Sequence, residues 1–173
     1  PDTVLGMGAS SPALVRHGNR DLLLVPADLD LYGIDAGDGK VLWQATMGVK
    51  SERSPVKAPC NDPLYHQGLV TLVNGYDGTT KTFRLNEDAS QVSEVWTRKG
   101  HASYQESAVV CNGLLFGMGQ LTGADAERHP DLRINGLSLA EAKQRKLVGP
   151  DSRQITDFGM ICLDAATGAV RGI

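Results

Sequence analysis

Apolar positions along this chain fall in short runs, and each run stops at Gly, Asn or Asp. That rhythm predicts short strands joined by tight turns. Pro12-Ala13-Leu14-Val15 begins the first strand, with proline at the first position, where its missing N–H is tolerated. Gly18-Asn19 is a turn signal. Leu22 to Val25 is a continuous apolar run, consistent with a strand buried on both faces. Leu29 to Ile34 reads as the third strand and Lys40 to Thr46 as the fourth. Val41 and Trp43 there restart a two-residue period, which puts both on one face.

The pattern then returns. Asp62-Pro63-Leu64-Tyr65-His66 stands where Ser11-Pro12-Ala13-Leu14-Val15 stood. Leu69 to Val73 is the next strand, Asn74-Gly75-Tyr76-Asp77-Gly78 a turn, Lys81 to Leu85 an alternating strand, and Val92 to Thr97 the fourth. A third unit opens at Glu106 to Val110, turns at Asn112-Gly113 and continues through Leu114 to Met118. Residues 121–158 interrupt it, and the repeat resumes at Gly159-Met160-Ile161-Cys162-Leu163. Three blade-like units are expected, at roughly 11–48, 54–100 and 103–173, with the insertion at 121–158. Inside the insertion, Ser138-Leu139-Ala140-Glu141 is a capping box: the serine hydroxyl accepts from the Glu141 N–H and Glu141 reaches back. It predicts about ten residues of helix from Leu139 to Val148, stopped by Gly149-Pro150 and packed as a lid on an edge of the sheets.

Within the first unit, Asp35 is placed to fold its carboxylate onto N–H groups two or three residues on, with Gly37 and Gly39 supplying positive φ. Asp35, Gly39 and Trp43, with Gly33 ahead of them, resemble the tryptophan-docking pattern Ala-x-Asp-x-x-Thr-Gly-x-x-x-Trp of the pyrroloquinoline-quinone-like, quinoprotein-type β-propeller repeat. Asp164, Thr167 and Gly168 keep it in the third unit, where Cys162 stands for Ala and Gly172 for Trp. Asn86 and Trp96 keep part of it in the second, two residues further apart than Asp35 and Trp43. The resemblance implies an all-β fold of about three four-stranded antiparallel propeller blades with one helical excursion. It also implies that Trp43 and Trp96 bridge neighbouring blades, each burying on the order of 150–250 Å². Propellers close with about four to eight blades, so another copy or other chains are expected to supply the rest. Relatives with such repeats are commonly exported, which makes a periplasmic or otherwise exported location the expectation.

Composition narrows the function classes. The net charge is −3, which lacks the basic excess of a nucleic-acid binder. No apolar run reaches the roughly 18–20 residues of a membrane span. The chain starts at Pro1 without an initiator Met, as expected of a processed chain or a fragment. Cys60, Cys111 and Cys162 make no CxxC pair and read as small buried hydrophobes. Asp28, Asp30, Asp35 and Asp38 lack EF-hand spacing and read as turn caps. His17, His66, His101 and His129 are scattered, and His101, Ser103 and Ser107 sit in no Gly-x-Ser-x-Gly elbow. The adjacent-cysteine pair of many quinoprotein dehydrogenases is absent, so no cofactor, metal or catalytic residue is assigned. In the propeller expectation the segments before each first strand face the channel mouth, which nominates Lys57, His101, Tyr104 and Gln105 as binding residues. The expected function is a non-enzymatic binding or assembly scaffold with protein partners. The alternative is a portion of a quinone-dependent dehydrogenase.

Overall fold

Four strands pair in sequence order to make the first sheet: β1 (Ala13–His17), β2 (Arg20–Ala27), β3 (Asp30–Asp35) and β4 (Val41–Thr46). The second sheet repeats this with β5 (Leu64–His66), β6 (Leu69–Asn74), β7 (Thr79–Leu85) and β8 (Val92–Lys99). β9 (Val109–Cys111) and β10 (Leu114–Gly119) begin the third. A small hairpin, β11 (Arg133–Ile134) and β12 (Leu137–Ser138), and the helix α1 (Leu139–Gln144) intervene. β13 (Gly159–Asp164) and β14 (Val170–Gly172) then complete it in the order β14-β13-β10-β9. This computed structural model describes residues 10–27, 29–47, 61–74, 79–99, 107–119, 133–134, 137–145 and 159–172. The fold is all-β, as expected: three antiparallel four-stranded sheets, none closed on itself, with very little helix among the described residues. None of the described helices is long and apolar enough to cross a membrane.

Turn chemistry explains the hairpins. Gln67 and Gly68 take φ 48° and 79°, and Asn112 and Gly113 take 49° and 78°. Two consecutive positive φ angles match the right-handed twist of the flanking strands. In the first sheet Gly18 alone is positive, at 56°. The β3–β4 and β13–β14 turns are copies. Asp35 N donates to Lys40 O at 2.9 Å and Gly39 N to Asp35 O at 2.9 Å; Asp164 N donates to Ala169 O and Gly168 N to Asp164 O, both at 2.8 Å. Gly39 and Gly168 carry the left-handed φ, 75° and 70°. Gly37, expected to share that role, does not, because one left-handed residue closes the turn. The β7–β8 turn lacks this glycine, so Ala89 takes φ 56° and Asn86 Oδ1 caps Gln91 N at 2.9 Å. The turn of residues 75–78 lies outside the described residues.

Each of these hairpins carries a β-bulge, between Gly33 and Ile34, Thr82 and Phe83, and Cys162 and Leu163. The partners just beyond are Gly33↔Trp43, Thr82↔Trp96 and Cys162↔Gly172. A bulge adds one residue and breaks the two-residue alternation. Val41 and Trp43 therefore lie on opposite faces, against the expectation that they share one.

The three sheets stack in order. Leu22, Leu24, Leu31 and Trp43 of the first meet Val70, Leu72, Phe83 and Leu85 of the second. Val73 of the second joins Leu115, Ile161, Leu163 and Val170 of the third, with Leu64 and Trp96 packed alongside. Each fully buried Leu contributes about 1.5–3 kcal/mol. Every residue of β6 is buried, because it alone sits in the middle sheet's centre with sheets on both sides. β2 is not buried this way: Leu22 and Leu24 are inside, while Leu23 and Val25 on the other face are only half-buried. The apolar run of 22–25 therefore belongs to an end sheet, not to a strand covered on both sides.

The capping box is present: Glu141 N donates to Ser138 Oγ at 3.3 Å and Ser138 N to Glu141 Oε2 at 2.8 Å. The helix it starts has six residues, with Ala142 in the core beside Leu115 and Ile161. Residues 146–148 of the predicted helix lie outside the described ones. Cys111 is exposed and Cys162 half-buried, so these two are not core hydrophobes; they sit on the outer sheet of the stack. Cys60 lies outside the described residues.

Candidate functional site

The feature that joins one sheet to the next is an indole seated on a turn. Trp96, near the end of β8, reaches the third sheet and donates from Nε1 to Ala165 O at 3.0 Å. Its ring lies on Gly168, where an added Cβ would stand 2.8 Å from Trp96 Cδ2. Ala165 and Gly168 are buried beneath it. The seat is stiffened from below. Asp164 Oδ1 accepts from Ala166 N and Thr167 N, both at 3.0 Å, and Oδ2 pairs with Arg171 at 2.8 Å. The Arg171 hydrogen bond, with those from Thr167 and Ala166, holds the Asp164 carboxyl below the usual aspartate range. Thr167 Oγ accepts from Ala169 N at 3.4 Å. These are the roles that the Asp-x-x-Thr-Gly spacing prepares.

Trp43 behaves differently. It is buried between the first and second sheets, but its ring lies over Gly33 of its own sheet, where a Cβ would stand 2.0 Å from Cε2. Its Nε1 has no hydrogen-bond partner. The residue opposite decides the difference. Gly33 leaves room for a flat indole, whereas Thr82 opposite Trp96 fills that space and sends the ring outward.

The first-sheet turn has the geometry of the seat without an occupant. Asp35 Oδ1 accepts from Gly37 N at 2.8 Å, and Asp38 Oδ1 from Lys40 N at 2.9 Å. Ala36 and Gly39, at the positions of Ala165 and Gly168, are exposed. A Cβ at Gly39 would meet nothing within 4 Å. The strand registers make Val41 the equivalent of Val170 and Ile34 that of Leu163. Val41 is 52% exposed; Val170 is 3% exposed. Leu14, at 68%, extends the same open face. At the far end of the stack, Val109 and Met160 leave the third sheet's outer face open at 59% and 61%.

Polar links stitch the first sheet to the second. Ser11 N donates to Asp62 Oδ1 at 2.5 Å, and Lys81 Nζ donates to Thr46 O at 3.2 Å. His17 Nε2–H donates to Asn86 O at 2.9 Å, and Nδ1 lies 3.0 Å from the Tyr65 hydroxyl. His17, Arg20, Asn86 and Asp88 border an open groove of about 790 Å³. Asp88 is held below the usual aspartate range by its Ser90 hydrogen bonds. Among the described residues no group of three His, Cys, Asp or Glu is placed to hold a metal ion.

Of the residues the sequence singled out, Asp164, Thr167, Gly168 and Trp96 come together in the seat. Asp35 and Gly39 form its empty counterpart, while Trp43 and Asn86 lie at the junction of the first two sheets. Lys57, His101, Tyr104 and Gln105 lie outside the described residues. Sequence reasoning missed Ala165, Arg171, Val41 and Leu14. Aligning Val41 with Val170 by their distance from the turn aspartate would have found the equivalence, though not the exposure. Neither known protein families nor curated proteins match this chain.

Proposed function

We propose that this chain is a non-enzymatic binding and assembly scaffold, a segment of a β-propeller of the pyrroloquinoline-quinone-like repeat type. The observation that carries the reading is the asymmetry of burial along the stack. The middle sheet is covered on both faces, while the two end sheets each present apolar side chains, Leu14 and Val41 at one end and Val109 and Met160 at the other. Sheets of this kind bury their second face only against a further sheet. Exposed apolar surface of that sort marks interaction sites. The Asp164 seat under Trp96 supports the repeat assignment.

The reading is tested with the purified chain. An environment-sensitive apolar dye binds it; Leu14→Lys lowers binding at one end and Met160→Lys at the other, additively and without loss of the far-ultraviolet dichroism. No alcohol is oxidised when pyrroloquinoline quinone, Ca²⁺ and a dye acceptor are added. Quinone-dependent turnover overturns the reading.

A further inference from the structure

We infer that the open face of the first sheet is a docking surface for a tryptophan-bearing β-sheet that is not a second copy of this chain. The inference rests on the scaffold reading above and names the chemistry of the partner. It comes from comparing the two ends of the same stack. The third sheet receives its neighbour on the face carrying Leu115, Ile161, Leu163 and Val170. By strand register the first sheet carries Leu23, Tyr32, Ile34 and Val41 at those positions. The turn below is the same turn, closed by the same hydrogen bonds, with glycine at the same left-handed position. In the third sheet Trp96 covers that glycine and takes a hydrogen bond to the Ala165 carbonyl. In the first, Gly39 has open space above it and Ala36 is exposed. The seat is built and its apolar surround is in place; the missing component is an indole.

A second copy does not supply one. The stack is directional: each sheet presents the position after its bulge to the next sheet's receiving face. That position holds Trp43, then Trp96, then Gly172. Head-to-tail association of two identical chains sets Gly172 against the Asp35 turn and leaves the seat empty. The occupant is therefore a sheet from outside these 173 residues with tryptophan at that position.

Two measurements test this on the full chain. Light scattering gives 18.4 kDa for the wild type. Gly172→Trp installs the missing indole and at least doubles the mass, and adding the exposed-site change Val41→Lys restores the monomer. The second measurement needs no association. Titrating the wild type with N-acetyl-tryptophanamide shifts the amide resonances of Ala36 and Gly39 saturably, whereas N-acetyl-leucinamide does not. Indifference between the two ligands, or a Gly172→Trp chain that folds and remains monomeric, overturns the inference. A wild-type oligomer dissolved by Val41→Lys also overturns it, by making the occupant a copy without tryptophan. All three overturning outcomes leave the scaffold reading standing, since only quinone-dependent turnover removes that.

Discussion

Replacing one glycine by alanine at two equivalent turns separates the cost of the turn from the cost of the indole. Gly39 and Gly168 have nearly the same backbone, φ 75° and 70°. Alanine in that left-handed region costs about 1–2 kcal/mol at either site. The gain from stiffening the unfolded chain is the same for both and cancels in the comparison. What differs is the space above. At Gly39 the new methyl meets nothing within 4 Å; at Gly168 it stands 2.8 Å and 2.9 Å from Trp96 Cδ2 and Cε3. Carbon atoms rest at about 3.5–4.0 Å, so the ring must retreat by about 0.7 Å or more. That overpacking costs about 1–3 kcal/mol. It also stretches the Nε1 hydrogen bond to Ala165, a further loss of about 0.5–1.5 kcal/mol. Gly168→Ala is therefore expected to cost about 1–4 kcal/mol more than Gly39→Ala. Urea unfolding resolves this: with a slope of about 1–3 kcal/mol per molar, the excess lowers the midpoint by roughly 1 M. The control is a double-mutant cycle. In a Trp96→Ala background the clash is gone, and Gly168→Ala costs what Gly39→Ala costs. Equal costs in the wild-type background, or an excess that survives Trp96→Ala, refute the seat.

Gly33→Ala places a methyl 2.0 Å from Trp43 Cε2 in the core between the first two sheets, and is expected to cost at least about 3 kcal/mol, read from the thermal midpoint and largely recovered by adding Trp43→Leu. Thr71 and Thr82 share a buried hydroxyl–hydroxyl hydrogen bond of 2.7 Å. Thr82→Val strands its partner at a cost of about 1–3 kcal/mol, while the double valine variant returns close to wild type in urea unfolding. Asp164 is held below the ordinary aspartate range, first by Arg171, so its folded-state value lies under its unfolded one. Its stabilisation is complete above about pH 4 and is lost as pH falls through the lower folded value. The stability gap between wild type and Asp164→Asn should thus be widest near neutrality and narrow in acid; a gap that is flat with pH counts against the charged carboxylate.

The hairpins were legible because their signals are local. Asn112-Gly113 states its own backbone angles, and Asp35 and Asp164 reach their N–H partners within three residues. Burial was not legible, because it depends on which sheet lies beyond. Val41 and Val170 are the same residue at the same turn position, yet one is half in water and the other inside. The four apolar residues from Leu22 announce a strand covered on both sides and belong to an end sheet. The fully covered strand, β6, contains Thr71 and Asn74. Nor does a two-residue period survive a bulge, which is why Val41 and Trp43 part company. The seat was half legible: the pattern predicts that a tryptophan docks across sheets, and only the glycine or threonine opposite decides whether it does so.

That last distinction gives the stack its direction. The bulge turns the residue after it onto the face opposite the turn's valine, so every sheet has a face that gives an indole and a face that can receive one. Two different faces meeting repeatedly is a heterologous contact, which continues until it closes or meets a sheet that cannot propagate it. In the third sheet the giving position is Gly172, opposite Cys162 rather than Gly33 or Thr82. Its outer face still carries Val109 and Met160, so it offers apolar surface without the indole anchor that fixes register. The first sheet is the reverse: its receiving face holds both the apolar surface and the seat. The two ends are therefore not interchangeable, and the end with the seat is the one at which sequence-selective docking is built in.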